Sequence, residues 1–245
     1  MKDSIFKGLN PASTLLLIES NPSLLSLMKA ALFDLMHKQV LTVKKEEKKL
    51  NPRDKYYRVY TVVETGVNFS SYKPNTFESY FIDKVNEDSY FILISFLRTV
   101  YSNIHSRYDF STKVIKSGDL SPYFNLNYFF YIFSYVYRKV NGKTRGKQLK
   151  NRLNEIDTTI KDDLINNKSR VYDMVQELGS NVFLLEHMDF SLLKNYSRLE
   201  SNTSSMKNEI LDDYSWLEIF MDDSYNVFDN IITSSSFDYE PDFDF

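Results

Sequence analysis

Residues 22–43 read PSLLSLMKAALFDLMHKQVLTV, and this stretch sets the organisation predicted for the N-terminal part of the chain. Its apolar residues recur at the i, i+3, i+4 and i+7 spacing of one helix face as far as Met36. Pro22 suits the first helical position, with Asn21 before it as the N-cap. The pattern predicts a helix over residues 22–38 that leads directly into a strand over residues 40–43.

The residues on either side of this stretch extend the prediction. Asn10 followed by Pro11 predicts a short first helix that ends near Glu19. After the strand, residues 44–54 are highly charged and predict a loop. Residues 56–63 alternate in polarity and are rich in strand formers, so they predict a returning strand.

The order of helix, helix, strand, charged loop and strand resembles that of a winged helix. Residues 30–43, AALFDLMHKQVLTV, resemble the end of a winged-helix recognition helix that leads into its wing. They are also similar to the N-terminal part of the Golgi phosphoprotein 3 family, which has a like step from helix to hairpin. Both resemblances cover residues 11–65 and rest on the hydrophobic pattern. They imply a small α/β unit, and no lipid-headgroup site of the second family has a counterpart here.

The rest of the chain is predicted to be mainly helical. Further helices are predicted at residues 76–85, 89–105, 123–140, 147–166, 171–178, 182–187 and 190–199. The helix over residues 123–140 would start at Ser121-Pro122 and stop at Asn141-Gly142, and its nearly continuous apolar surface predicts a buried position. Residues 110–115 predict a short strand or a turn of helix.

The predicted architecture is a mainly α fold in three parts. Residues 1–75 form a winged-helix-like α/β unit, and residues 76–200 form a helical body packed on it. Residues 201–245 contain a linker at 201–205, an acidic helix at 206–228 and a tail at 234–245.

The composition restricts the possible functions. Apolar residues make up 42% and charged residues 26% of the chain, which is ordinary for a globular protein. The absence of cysteine excludes disulfides, thiolate metal sites and cysteine nucleophiles, and fits the cytoplasm. The six glycines argue against Rossmann and P-loop folds. We expect no secretory signal and no spanning helix, because no apolar run is long enough.

We expect the protein not to be an enzyme and to need no cofactor or metal. His37, His105 and His187 lie far apart in sequence, and each is expected at a helix end or on the surface. The acidic pairs at 212–213 and 222–223 lack the glycine turn of an ion-binding loop, so a solvated acidic face is the better interpretation. Catalysis by scattered acid and base residues stays open, since such sites leave no local signature.

The strongest local signal is the acidic, aromatic C-terminus. Residues 212–245 contain ten acids and no Lys or Arg, so residues 1–211 carry +7, which is −3 minus −10. The tail resembles, in style, the acidic C-terminal peptide of bacterial single-stranded-DNA-binding proteins, in which a terminal Phe fills an apolar pocket. Its predicted partner-binding residues are Phe237, Asp238, Tyr239, Asp242, Phe243, Asp244 and Phe245. Docking on another protein, docking on its own basic body and a solubilising role all stay open.

A basic cluster follows the aromatic segment and predicts a contact face. Its members, within a fifteen-residue stretch that contains no acid, are Arg138, Lys139, Lys143, Arg145, Lys147, Lys150 and Arg152. Such a cluster attracts phosphate on a membrane surface or on nucleic acid. The alternative is a solvated basic loop that follows a buried helix.

These observations predict a non-enzymatic cytoplasmic interaction or adaptor protein. It would bind another protein through its tail and use the basic face as a second contact. One alternative is a peripheral binder of anionic membranes or phosphate groups. Another is a nucleic-acid-binding protein that acts through the winged-helix-like unit. Against this alternative, the acids of its charged loop offset part of the lysine charge. The exposed face of its second helix also offers few side chains that could read bases.

Overall fold

Side-chain caps set the starts of the first two helices. The computed structural model describes residues 4–49, 53, 55–86, 90–126 and 136–186. Helix α1, Pro11–Ile18, begins after Asn10, whose side-chain oxygen accepts the N–H of Ser13 at 2.8 Å, so the predicted start is confirmed. Helix α2, Leu24–His37, begins after Ser23, whose hydroxyl accepts the N–H of Ser26 at 3.0 Å. The predicted start of the second helix at Pro22 is therefore wrong.

A tight turn at the end of α2 leads into a small antiparallel sheet. Gln39 takes a positive φ of 54° at this turn. Strand β1, Leu41–Lys48, pairs with β2, Arg58–Thr65, and β3, Phe91–Ile92, pairs with the other edge of β2.

The loop predicted from residue 44 is wrong for its first part, because β1 continues to Lys48. Ion pairs explain how charged residues are accommodated in the strand. Lys44 lies 2.6 Å from Glu64 on β2 and 2.7 Å from Glu46 on its own strand. Cross-strand pairs of opposite charge stabilise such a ladder.

Three helices and two 3₁₀ turns follow the hairpin. The helices are α3, Ser79–Ile82; α4, Leu93–Asn103; and α5, Arg107–Ser117. The 3₁₀ turns are Phe69–Ser71 and Ser121–Tyr123. The helix predicted over residues 76–85 is reduced to one turn, and the one predicted over residues 89–105 begins only after β3. Residues 110–115 lie inside α5, so of their two predicted alternatives the helical one is correct.

The helix predicted over residues 123–140 is wrong at both ends. Strand β4, Phe124–Asn125, pairs with β5, Tyr137–Arg138, and residues 127–135 lie outside the described part. Helix α6 runs from Val140–Asn166, followed by α7, Lys168–Leu178, and a 3₁₀ helix, Gly179–Leu184. The predicted stop of α7 at Gly179 is confirmed by the positive φ of 54° there.

Asn141 and Gly142 lie in the first turn of α6 and do not end a helix. The reason is tertiary packing: a Cβ on Gly142 would lie 2.3 Å from the carbonyl oxygen of Tyr123. One turn later, a Cβ on Gly146 would lie 1.9 Å from the carbonyl oxygen of Leu17. Both glycines therefore let α6 approach neighbouring backbone more closely than any other residue would allow.

The described residues share one hydrophobic core with many aromatic rings. Its fully buried rings are Phe33, Phe77, Phe81, Phe96 and Phe110. Phe33 of α2 stacks on Phe183 at a centroid distance of 4.6 Å, which holds the last 3₁₀ helix against α2. The chain is thus mainly helical with a small antiparallel sheet near its N-terminus.

Several predicted elements cannot be compared with the structure. The helix at residues 190–199, the linker, the acidic helix and the tail all lie outside the described residues. Residues 182–184, within the helix predicted over 182–187, belong to the 3₁₀ helix Gly179–Leu184.

Replacing Gly146 by Ala is expected to destabilise the protein. A Cβ at this position displaces α6 from α1, and such overpacking costs about 1–3 kcal/mol, more than Ala gains in helix propensity. Denaturant unfolding measures the change. The matched control is Asn151→Ala on the exposed side of the same helix, which should be neutral or stabilising. Equal stabilities of Gly146→Ala and Asn151→Ala would contradict the close contact.

Candidate functional site

The predicted basic contact residues lie on β5, at the residue before α6 and on the first half of α6, so the alternative of a solvated basic loop is wrong. Arg138 and Lys139 precede the helix, and the other five lie between residues 143 and 152. The structure separates these seven residues into two groups. The arginines bond to other segments of the chain, whereas the three lysines of α6 are exposed.

Two arginines hold the beginning of α6 against the N-terminal segment. Arg138 donates one guanidinium N–H to the carbonyl of Leu17 and another to the hydroxyl of Ser20, the latter at 2.8 Å. Arg145 donates to the carbonyl of Ile5 at 2.6 Å. Burial lowers the pKa of Arg138, and no described carboxylate pairs with it. Its positive charge therefore stays uncompensated in the described part of the chain.

Arg152 joins α6 to α7. Its Nε donates to Glu177 Oε1 at 2.8 Å while a terminal nitrogen contacts the other oxygen of the same carboxylate. Glu155, one turn further along α6, lies 2.8 Å from the guanidinium. Hydrogen bonds to Glu177 and Glu155 raise the pKa of Arg152 above its ordinary value. This two-pronged geometry is a structural clip.

The lysines form a continuous exposed face. Lys143, Lys147 and Lys150 lie within about 60° of arc on α6 at 100° per residue, and we call these three residues the lysine face. All three are exposed. Within the described residues, neither Lys143 nor Lys147 forms an ion pair. Lys139 extends the face beyond the helix start, and its ammonium lies 3.4 Å from the carbonyl of Ser121.

A groove opens at the N-terminal end of the lysine face. We call it the α1–β5 groove; it measures about 270 Å³ and is lined by Ser20, Asn21, Val136, Tyr137, Arg138 and Lys143. Its volume lies just below the range of about 300–1,000 Å³ that small-molecule sites occupy. Its chemistry combines an apolar wall, Val136 and Tyr137, with two cations.

A second groove opens further along the same helix. We call it the α1–α6 groove; it measures about 250 Å³, and its lining includes Glu19, Lys150, Asn154, Asp157 and Glu186. Burial raises the pKa of Glu19, and the charge of Lys150 acts in the opposite direction. Glu186 is the last residue that the structure describes. The described chain therefore ends beside Lys150.

The hairpin neutralises part of its own charge. Lys48, like Lys44, contacts Glu46, and its ammonium also lies over the ring of Tyr90. At the hairpin end the exposed rings of Tyr56 and Tyr57 are approached by Lys55 and Lys49, at 5.5 and 4.9 Å. These contacts reduce the charge and ring surface that the hairpin offers to phosphates or bases.

A buried ionic cluster at the end of α2 was not predicted from the sequence. The ammonium of Lys38 lies 2.6 Å from Asp34 and 3.4 Å from Glu78, whose side chain is fully buried. Glu78 also accepts the hydroxyl of Tyr72 at 2.9 Å and the N–H of Asn75 at 2.7 Å. The only local signal was the i, i+4 spacing of Asp34 and Lys38.

This cluster has the properties of a structural clamp. Burial alone lowers the pKa of Lys38, but the carboxylates of Asp34 and Glu78 outweigh it and raise the pKa above its ordinary value. Burial raises the pKa of Tyr72 from 10.0 to about 12, against the opposing charge of Lys38. These groups bond to one another and tie α2 to the segment before α3.

Two of the three histidines lie where they were predicted. His37 lies in the last turn of α2, stacked on Phe33, and burial lowers its pKa. His105 is exposed between α4 and α5. His187 lies outside the described residues, as do the predicted tail residues from Phe237 to Phe245. Within the described ranges, no group of three or more His, Asp or Glu residues is arranged to hold a metal ion.

No family model, curated protein or solved structure matches this chain. None of the helices in the described part combines the length and apolar character needed to cross a membrane.

Arg152 and Lys147 lie close together in sequence but are expected to differ in their effect on stability. Arg152→Gln removes the clip to Glu177, and because the pair is partly exposed the loss should be about 1 kcal/mol. Lys147→Gln removes no described bond and should leave the free energy of unfolding unchanged. Urea unfolding of both variants tests the distinction, and equal effects would mean that Arg152 is not structural.

The ionic cluster is expected to make stability fall at alkaline pH. Between pH 10 and 12 the unfolded chain loses the Tyr72 proton while the folded protein keeps it, so stability declines as pH rises. The raised pKa of Lys38 acts in the same direction. Urea unfolding at pH 9 and pH 11 should therefore show a smaller decline for Tyr72→Phe than for the unmodified chain.

The control for this experiment is Tyr56→Phe, at a tyrosine that is 69% exposed. It should keep the decline of the unmodified chain, because Tyr72 and its buried partner Glu78 stay in place. An identical decline in Tyr72→Phe would show that Tyr72 does not carry the effect.

Proposed function

We propose that the protein is a non-enzymatic interaction protein whose lysine face binds an acidic surface on a protein partner. The observation that carries the proposal is the division between arginines and lysines in the basic cluster. Arg138, Arg145 and Arg152 bond internally, whereas the three cations of the lysine face are left exposed on one side of one helix.

The rigid mounting of this face supports a binding role. Gly142 and Gly146 bring α6 directly against neighbouring backbone, and Arg138 and Arg145 bond to the carbonyls of Leu17 and Ile5. A surface that is already ordered loses less entropy on binding. Clustered charge of one sign also accelerates the encounter with an oppositely charged partner.

The other parts of the proposal rest on sequence pattern. The acidic, aromatic tail serves as a second contact in an adaptor role, and the absence of cysteine supports a cytoplasmic location. The order of elements in residues 11–65 supports the description of this unit as winged-helix-like. The internal ion pairs of the hairpin make nucleic-acid binding through that unit the weaker alternative.

A second candidate function is binding of anionic membrane surfaces or phosphate groups through the same face. The observation that favours it is Tyr137, which is 54% exposed and lines the α1–β5 groove with Lys143. Aromatic rings beside lysines are typical of surfaces that bind anionic headgroups.

The decisive experiment compares acidic probes on matched variants. Fluorescence anisotropy with labelled poly-glutamate should show salt-sensitive binding by the full-length chain. The triple variant Lys143→Gln, Lys147→Gln, Lys150→Gln should bind about tenfold more weakly, since each charge contributes a fraction of a kcal/mol to about 1 kcal/mol at low salt.

The control variant carries the same change of charge elsewhere: Lys73→Gln, Lys84→Gln, Lys116→Gln. It should retain binding, because these lysines lie in the chain between the hairpin and the end of α5, outside the helix that carries the lysine face. Equal losses in the two triple variants would indicate net charge alone and overturn the assignment of the face. Binding of phosphatidylserine vesicles, without binding of poly-glutamate, would favour the second candidate.

A further inference from the structure

We infer that the C-terminal tail of this same chain, residues 234–245, docks on the lysine face and competes there with the external partner. This inference rests on the proposed function, because the tail would regulate the same surface. Three features support it: where the described chain ends, the complementary charges, and the chemistry of the α1–β5 groove.

The described chain ends next to the surface that the tail would occupy. Glu186, its last residue, lines the α1–α6 groove together with Lys150 and Asn154. Residues 187–233 connect this point to the tail. Even at the helical rise of about 1.5 Å per residue, a connection of this length extends about 70 Å, which reaches every part of α6, itself about 40 Å long.

The charges of the two surfaces are complementary. Residues 212–245 carry ten acids and no basic residue, whereas Lys143 and Lys147 have no ion pair in the described residues. The four acids of the tail proper are Asp238, Glu240, Asp242 and Asp244. Because both surfaces belong to one chain, the tail is present at a high effective concentration, which allows even a weak contact to form.

The α1–β5 groove fits the alternation of aromatic and acidic residues in the tail. Phe243 and Asp244, for example, place an aromatic ring beside a carboxylate. The groove offers an apolar wall, Val136 and Tyr137, beside the guanidinium of Arg138 and the ammonium of Lys143. Arg138 is already held in place by Leu17 and Ser20 and has no described carboxylate partner. A carboxylate beside it would compensate a partly desolvated charge.

The test measures a distance within the full-length chain. The natural sequence has no cysteine, so Asn151→Cys on α6 and Ser236→Cys in the tail place two spin labels at known positions. A docked tail gives a narrow distribution of distances below about 30 Å, because Lys143 to Lys150 span only about 11 Å of α6 and the α1–β5 groove opens at one end of this face. An undocked tail gives a broad distribution that extends beyond this value.

Matched variants identify the contacts. The narrow distribution should broaden in 1 M salt, where screening reduces the charge range to about 3 Å. It should also broaden in the Lys143→Gln, Lys147→Gln, Lys150→Gln variant and persist in the Lys73→Gln, Lys84→Gln, Lys116→Gln variant. A variant in which the three face lysines are replaced by Glu and the four tail acids by Lys should again show the narrow distance distribution. A broad distribution in the unmodified chain at low salt, or a narrow one that survives loss of the face lysines, overturns the inference.

The poly-glutamate probe separates this inference from the proposed function. If the tail docks, a chain ending at Thr233 should bind poly-glutamate about tenfold more tightly than the full-length chain. If poly-glutamate binds the lysine face while the tail is undocked, the proposed function stands and the inference is rejected. If the tail is docked but poly-glutamate does not bind, even after truncation at Thr233, the docking stands and the proposed function is rejected.

Discussion

The close approach of α6 to α1 is the contact on which the rest of this structure depends. Gly146 lies against the carbonyl of Leu17, where any Cβ would overlap the oxygen. The same carbonyl accepts a hydrogen bond from Arg138. The last carbonyls of a helix have no intrahelical partners, and here an arginine on β5 donates a hydrogen bond to one of these carbonyls. The end of α1, the β4–β5 pair and the first turns of α6 are therefore held at one point, and this point orients the lysine face.

The different chemistry of arginine and lysine explains why one basic cluster divides into internally bonded and exposed charges. A guanidinium donates several N–H groups in a fixed plane, so Arg138, Arg145 and Arg152 each satisfy acceptors on another segment. An ammonium is a compact, strongly hydrated charge on a flexible stem, so Lys143 and Lys147 remain in water at little cost. The sequence alone shows seven positive charges within fifteen residues, and only the packing of α6 shows which of them stay exposed.

Local patterns predicted the features that depend on local interactions. The Asn10 cap, the periodicity of α2 and the alternation of β2 involve neighbouring residues, and they could be predicted from the sequence. Gly142 could not, because a glycine that ends a helix and one that admits a neighbouring backbone look the same in sequence. The strands around residues 124 and 138 depend on pairing between distant residues, and aromatic composition gave no sign of it. The Lys38 cluster required Glu78, forty residues away, to be recognised.

The partners of each lysine decide which basic region is suited to binding. Lys38 is surrounded by Asp34, Glu78 and Tyr72, so its charge is already compensated inside the fold. Lys44 and Lys48 of the hairpin share Glu46 across the surface of the sheet. An acidic partner would have to break these contacts before it gained new ones, and the net gain would be small. The lysine face has no such contacts to lose at Lys143 and Lys147, so nearly all of the electrostatic attraction there is available for association.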